Sequence, residues 1–451
     1  MEKIRPSVPY GGYGEHVRME TERARAAAAP VSSPHAGAPE ALHERLAELI
    51  EEQSAALVEL SEDLHAHPEL GFEEHRSIAR LVQYLATHGV EAREGEADLP
   101  TAGRADIGTE GPIVGICSEY DALPGIGHAC GHNVIAAAGV GATVALAKLM
   151  AEDAVPGSVR WLGTPAEEGL SGKEYMAVKG SFDGLAGAMM IHPYNYDTVD
   201  QVWLGRRLLT VTITGVAAHA SAQPFMGRNA LDTATLILTG IGLLRQQMLP
   251  VDRVHAVVSD GGERASIIPE RAQVKAYVRS KYPDTLKDLS QRLEDVCRGA
   301  AIMTGCGIEL EWDEHPASLP VRTNGPLAAH FSRAMERRGR RMLPGGVVPE
   351  QVAASTDFGN ISYRVPGIHP LVKISDEATA LHTVEFAEAA RSSEAARAVT
   401  DSAYALAACA LDLLMDEELR DAVATDFAEA GGPVDVPSYF SSPPQNGDTN
   451  E

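Results

Sequence analysis

Cys130 and His132, in His128-Ala-Cys-Gly-His-Asn, open a set of five potential metal ligands spread over four short clusters. The others are Glu168 in Pro-Ala-Glu-Glu-Gly, His192 in Ile-His-Pro and His382 in Ala-Leu-His-Thr. Thiolate, imidazole and carboxylate together suit zinc or manganese. Glu167, immediately before Glu168, is then free to carry protons for a metal-activated water. The pattern implies a metallohydrolase.

Taken singly, each cluster has an ordinary explanation. Cys-Gly-His fits a buried cysteine beside a satisfied histidine, and adjacent glutamates commonly face solvent. His192 can cap a strand end, and His382 can sit on a surface loop. Their joint placement argues otherwise. Glycines around Cys130 let the backbone turn sharply and aim both side chains at one point. The glutamate pair follows directly on the apolar run Val159–Gly163, where a solvated helix face is a poor explanation. Asp121, in Glu119-Tyr-Asp-Ala-Leu-Pro, follows another apolar run; it either caps that turn or orders a ligand or Glu167 from behind. Three rivals stand beside this reading. A hydrolase with Cys130 as nucleophile would leave Glu168, His192 and His382 without a shared purpose. A binding or regulatory protein could keep the fold without turnover. Deamination or another amide-like hydrolysis could run on the same scaffold.

The elements that must position these residues alternate between strand and helix. Ile113–Ser118, Val159–Gly163 and Ala186–Ile191 read as buried strands, and Val134–Met150 as a helix of small residues. Strand, loop and helix in succession predict an α/β sheet with active residues in loops at strand ends. A helix is expected from Glu40 to Leu64, broken by His65-Ala-His-Pro. From Arg206 to Pro316 the texture changes. Leu208–Thr214, a long helix Leu231–Gln247, Val254–Val258, Ala272–Val278, a helix Asp284–Ala301 and Ile308–Trp312 follow in the split βαβ order. The expected organisation is a flexible arm (1–40), a catalytic domain in two parts (41–205 and 317–428), an inserted ferredoxin-like α+β lid and dimerisation domain (206–316), and a disordered tail (429–451). Within the arm, Glu20–Ala29 could be helical in context. Residues Glu385–Met415 close the catalytic domain as helix.

The chain's 451 residues favour two domains over one core. Its net charge of −25 argues against nucleic acid and against an anionic membrane surface. No apolar run is expected to reach the roughly 18–20 residues of a membrane span, and the N-terminus lacks a signal-peptide pattern. Five cysteines, an odd number, do not make a disulfide framework. The expectation is a cytoplasmic protein whose reduced thiols leave Cys130 available.

Longer motifs add a resemblance. His67-Pro-Glu-Leu-Gly-Phe-Glu-Glu, Asp121-Ala-Leu-Pro, His128-Ala-Cys-Gly-His, Pro165-Ala-Glu-Glu-Gly, Gly215-Val-Ala-Ala-His-Ala-Ser, Gly227-Arg-Asn-Ala-Leu-Asp, Ile267-Ile-Pro-Glu and Ser355-Thr-Asp-Phe-Gly-Asn span most of the chain between Leu42 and Leu414. Together they resemble the M20 metallopeptidases, subfamily D, which include aminoacylase-like amidohydrolases. The combination Glu-Tyr-Asp-Ala-Leu-Pro with Gly-His-Asn looks closest to dipeptidases cleaving Xaa-Arg or β-alanyl-lysine bonds and to aminobenzoyl-glutamate hydrolases. The resemblance implies two divalent ions, zinc or manganese, held by Cys130, His132, Glu168, His192 and His382, with Glu167 as general base and acid. It implies a homodimer formed through the lid, in which His219 reaches the partner's site and steadies the oxyanion; the residues alone leave His219 a strand-end histidine. It makes Arg279 a candidate grip for a substrate carboxylate, against a surface salt bridge, and Asn229, Ser266 and Gly359 further substrate-binding candidates. The implied substrate is a dipeptide or an N-acyl amino acid. Two departures stand out. Asn133 replaces the aspartate of many members, and Ser266 replaces a usual asparagine, so substrate anchoring by the lid differs here.

Overall fold

The computed structural model describes residues 5–441. Its larger core is built on a six-stranded sheet ordered Arg93–Glu94, Gly103–Gly108, Ser158–Gly163, Ile113–Ser118, Leu185–Met189, Gly367–Ile368. The inner strands run parallel, with antiparallel pairing only from Gly103–Gly108 outward. Parallel strands covered on both faces need continuous apolar runs, and Val114, Ile116 and Cys117 are fully buried. Three long helices, Glu40–Ala66, His132–Glu152 and Ser393–Met415, pack on one another against this sheet. By length and mean hydropathy, His132–Glu152 and Ser393–Met415 are apolar enough to cross a membrane, which corrects the expectation from the sequence. Both are largely buried in the protein, which accounts for their apolar character.

A second core gathers Leu209, Val211, Ile213, Ile237, Val274 and Leu289. It lies in an antiparallel sheet ordered Gly307–Trp312, Gly205–Thr214, Arg271–Ser280, Arg253–Asp260, with helices Ala230–Leu244 and Pro283–Thr304. Proline in the first turn and Gly305 at φ 70° after the last residue delimit the second helix. The first helix stops at Leu244 and tightens into a 3-10 turn over Arg245–Gln247, short of the continuous helix expected.

Both chain ends differ from expectation. The arm expected to be flexible carries a helix, Gly12–Ala27. Its Arg25 pairs with Glu377 at 2.7 Å and lies over the Tyr196 ring, while Ala24 and Ala28 pack near Leu343 and Val347. Nonlocal contacts of this kind leave no periodic signal in the sequence. The tail carries a helix, Val436–Ser441, whose Phe440 stacks near Arg207 of the second sheet. Residues 442–451 lie outside the described residues.

Asp412 joins the arm to the catalytic core. Its carboxylate accepts from Ala38 N at 2.7 Å and bonds His43 Nε2 at 2.9 Å and His330 Nδ1 at 2.7 Å, all buried. Burial opposes ionisation, but the hydrogen bonds from His330 and His43 outweigh it and hold the carboxyl well below the usual range. A depressed folded-state value means stabilisation that is complete above the unfolded value of about 3.9 and lost as pH falls through the folded one. Asp412→Asn is therefore expected to cost about 3 kcal/mol at pH 7. Thermal melts should show that gap narrowing as pH falls below about 4; a gap of constant size would refute the assignment.

Candidate metal centre

Each parallel strand delivers its residues from its C-terminal end, the usual place for ligands in such sheets. Ile113–Ser118 runs into Glu119 and Asp121, Ser158–Gly163 into Glu167 and Glu168, and Leu185–Met189 into His192. Cys130 and His132 flank Gly131, whose φ of 76° turns the backbone into the His132–Glu152 helix. His382 comes from a separate loop, tied to this turn by its backbone N–H donating to Ala129 O at 3.1 Å.

The five clustered residues converge. Ligand-type atoms of Cys130, His132 and His192 lie within 4.8 Å of one another, as do those of Cys130, Glu168 and His382, and of His132, Glu167 and Glu168. His382 Nε2 is 3.0 Å from Cys130 Sγ and 3.8 Å from Glu168 Oε1. His132 Nε2 is 4.0 Å from Glu168 Oε1. Both atoms are buried without a hydrogen-bond partner, a condition native folds avoid unless something else engages them.

Supporting contacts fix the orientation of these groups. Asp121 Oδ1 accepts from His132 Nδ1 at 3.1 Å, and Oδ2 accepts from Glu168 N at 2.8 Å. One buried carboxylate thus aims two members of the cluster, the role expected of a residue behind a metal ligand. His192 Nδ1 donates to Pro193 O at 2.7 Å, leaving Nε2 as the lone-pair nitrogen. Two residues without glycine's freedom occupy left-handed backbone here, Ala166 (φ 58°) and His382 (φ 60°). Strain of this kind persists where surroundings over-determine it. At Ala166 the restraint is Glu74, whose Oε1 accepts from Ala166 N at 2.7 Å. Burial and nearby Asp121 push the Glu74 carboxyl up to about 7.

The electrostatics favour a cation. Burial lowers the His132 imidazole, but Asp121, Glu119 and Glu168 outweigh it and raise the ring to about 10. The same negative potential attracts a divalent ion. Burial, then Glu168, push the Cys130 thiol well up, so its thiolate needs a bound cation to form. Burial and the Glu119, Glu168 and Asp357 carboxylates push Glu167 well above the ordinary range. Orphaned acceptors, a soft thiol and a negative field all fit divalent ions.

Other expected residues fall elsewhere. His219 is exposed on a short strand paired with Ile267–Ile268, and joins none of the clusters among the described residues. Arg279 is partly buried; its Nε has no hydrogen-bond partner, and no ion pair involves it among the described residues. Asn229 caps the Ala230–Leu244 helix, accepting from Leu231 N at 3.0 Å. Ser266 is exposed, and its carbonyl accepts from Ala220 N. Gly359 is buried, and a Cβ there would lie 1.8 Å from the Leu319 carbonyl oxygen, so close packing accounts for the glycine. Asn133 is also buried, its amide donating to Ser61 Oγ and to the Ala390 carbonyl, each at 2.9 Å. An aspartate there would face acceptors, so this departure belongs to the scaffold. Glu119, Lys173, Asp357 and Glu74 also border the centre, and residue types and spacing did not single them out. Their signal was polar residues at the ends of buried runs, which spacing alone does not separate from turn residues.

Comparison with known proteins places the chain. A model of peptidase family M20/M25/M40 matches residues 115–405. The chain belongs to that family. It is 36% identical over 403 residues to the mouse Xaa-Arg dipeptidase, covering 86% of this chain and 92% of that protein. It is 26% identical over 471 residues to one of the subunits of the p-aminobenzoyl-glutamate hydrolase of Escherichia coli, covering 88% and 96%. Among solved structures, a dinuclear metal binding peptidase from the M20 family of Bacillus subtilis shares the fold, with a TM-score of 0.62 and 22% identity, over 81% of this chain and 99% of that one. Family membership makes the protein a hydrolase of amide bonds, on the two-domain α/β architecture its sequence implied.

Proposed function

We propose that this M20 protein is a two-metal hydrolase of a dipeptide or an N-acyl amino acid, with a basic residue on the leaving side. The observation that carries the reading is the convergence of Cys130, His132, Glu168, His192 and His382, with His132 Nε2 and Glu168 Oε1 buried and unpartnered among them. These five would hold two ions, zinc or manganese. The chemistry a bound ion pair supplies is Lewis acidity, towards the scissile carbonyl and the attacking water. Glu167 takes the water's proton and passes it to the leaving amine, the double duty of a positioned carboxylate. Asp121 keeps His132 and Glu168 aimed. Similarity to an Xaa-Arg dipeptidase supports arginine, lysine or ornithine as the leaving group.

Residues 206–316 serve as lid and dimerisation domain in this reading. Arg253–Asp260 is an edge strand, and Val257, Leu243 and Leu249 are exposed beside it. Open edges and exposed apolar side chains favour pairing with a second copy. Arg279, with no carboxylate partner among the described residues, would grip the substrate's carboxylate as the lid closes, and Asn229 and Ser266 would line the approach on the same domain.

The test is a chelated protein reconstituted with zinc, manganese or cobalt and given Xaa-Arg, Xaa-Lys, N-acetyl amino acids and aminobenzoyl-glutamate, read by amine release. Activity should fall more than about 10²-fold on chelation and return with metal, highest on the basic dipeptides. Activity that survives chelation but is lost on thiol alkylation would transfer the chemistry to Cys130.

A further inference from the structure

Beside His132 a second ionic group lies wholly inside the protein. Lys173 Nζ donates to Asp357 Oδ1 at 2.8 Å and, in a closer contact, to Glu119 Oε1; all three side chains are fully buried. Glu119 Oε2 is left with no hydrogen-bond partner. It lies 3.6 Å from His132 Nε2, which is equally unpartnered. That separation is too long for a hydrogen bond. It suits two donors on one ion. Donors about 2.0–2.2 Å from a zinc ion stand roughly 3–4 Å from each other. The distances already found within the five-residue cluster, 3.0, 3.8 and 4.0 Å, bracket the Glu119–His132 value.

We propose that Glu119 is a sixth donor of the centre, contacting through Oε2 the cation that His132 holds. Lys173, itself anchored by Asp357, holds the other oxygen, so the free one cannot swing away. The charge balance agrees. Glu119, Asp121, Glu167, Glu168 and Asp357, with Cys130 as thiolate, oppose the single ammonium of Lys173, and two divalent ions bring the group within one charge of neutral. The proposal rests on the two-metal reading above. Its rival is that Glu119 serves only as counter-ion to Lys173.

Zinc titration of the apo-protein against a chromophoric chelator separates the two, applied to the parent chain, Glu119→Gln and Glu119→Asp. The aspartate keeps a negative charge for Lys173 but is too short to reach both it and the ion, so it carries the test should the glutamine variant not fold. Both variants are expected to bind one of two zinc ions at least about tenfold more weakly, and X-ray absorption at the zinc edge should show fewer oxygen neighbours. A folded variant that binds two ions per chain with parental affinity and an unchanged zinc spectrum overturns the proposal alone. A parent chain that binds no zinc overturns the two-metal reading and this proposal with it.

Discussion

Glu167→Gln is expected to keep its metal and its fold and to lose turnover by about 10³–10⁴-fold. The substitution preserves shape and removes only the ability to take and return a proton. Glu167 is buried, and its backbone follows the strained Ala166 that Glu74 holds, so its position depends on scaffold contacts that the amide leaves intact. Removing one negative charge from a crowded group of carboxylates should leave the melting temperature equal or higher. The readings that matter are metal content per chain and single-turnover rate, measured together. Near-parental turnover at full metal content would refute the assignment of Glu167 as base.

His219→Ala should lower kcat by about 10²–10³-fold, the cost of removing one oxyanion donor, with metal content unchanged. The His219 Nδ1 accepts from the backbone N–H groups of Ser221 and Ala222, both at 3.2 Å. The ring proton therefore sits on Nε2, presenting a donor outward. Because this side chain joins no cluster within its own chain, among the described residues, the effect requires a second copy to bring it in. Mixing Glu167→Gln with His219→Ala protein tests that requirement. Random pairing makes about half of the dimers mixed, each with one complete site, so the mixture should regain about a quarter of parental activity. Absence of recovery in a mixture shown to exchange subunits would place His219 outside the partner's site.

The candidate metal cluster was legible because thiol, imidazole and carboxylate residues recurred at strand ends and in the loops between elements, five of them in four short clusters. Asp121 was legible for a related reason: it follows a strand and faces the same loop system. The arm helix was legible only in part, over Glu20–Ala27, and its docking was not. Its packing partners, Glu377 and Tyr196, lie far along the chain, and only folding brings them to Arg25. The Glu119–Lys173–Asp357 group was hidden by the same physics. A buried lysine is rare unless paired, and its two partners come from different loops. Asn133 helped to point to the Xaa-Arg dipeptidases among the relatives, and its side chain donates to serine and backbone oxygens of the scaffold, contacts that only folding reveals.

The docked N-terminal helix reaches further than its place in the chain suggests. Arg25 holds the side chain of Glu377, and Asn195 donates to the carbonyls of Glu377 and Thr379, five and three residues ahead of His382. A protein trimmed to begin at Glu40 would retain all the donors and yet release one of the moorings on the loop that carries the most exposed of them. Tags and truncations before that point therefore bear on the His382 loop, and belong among the controls of any activity measurement.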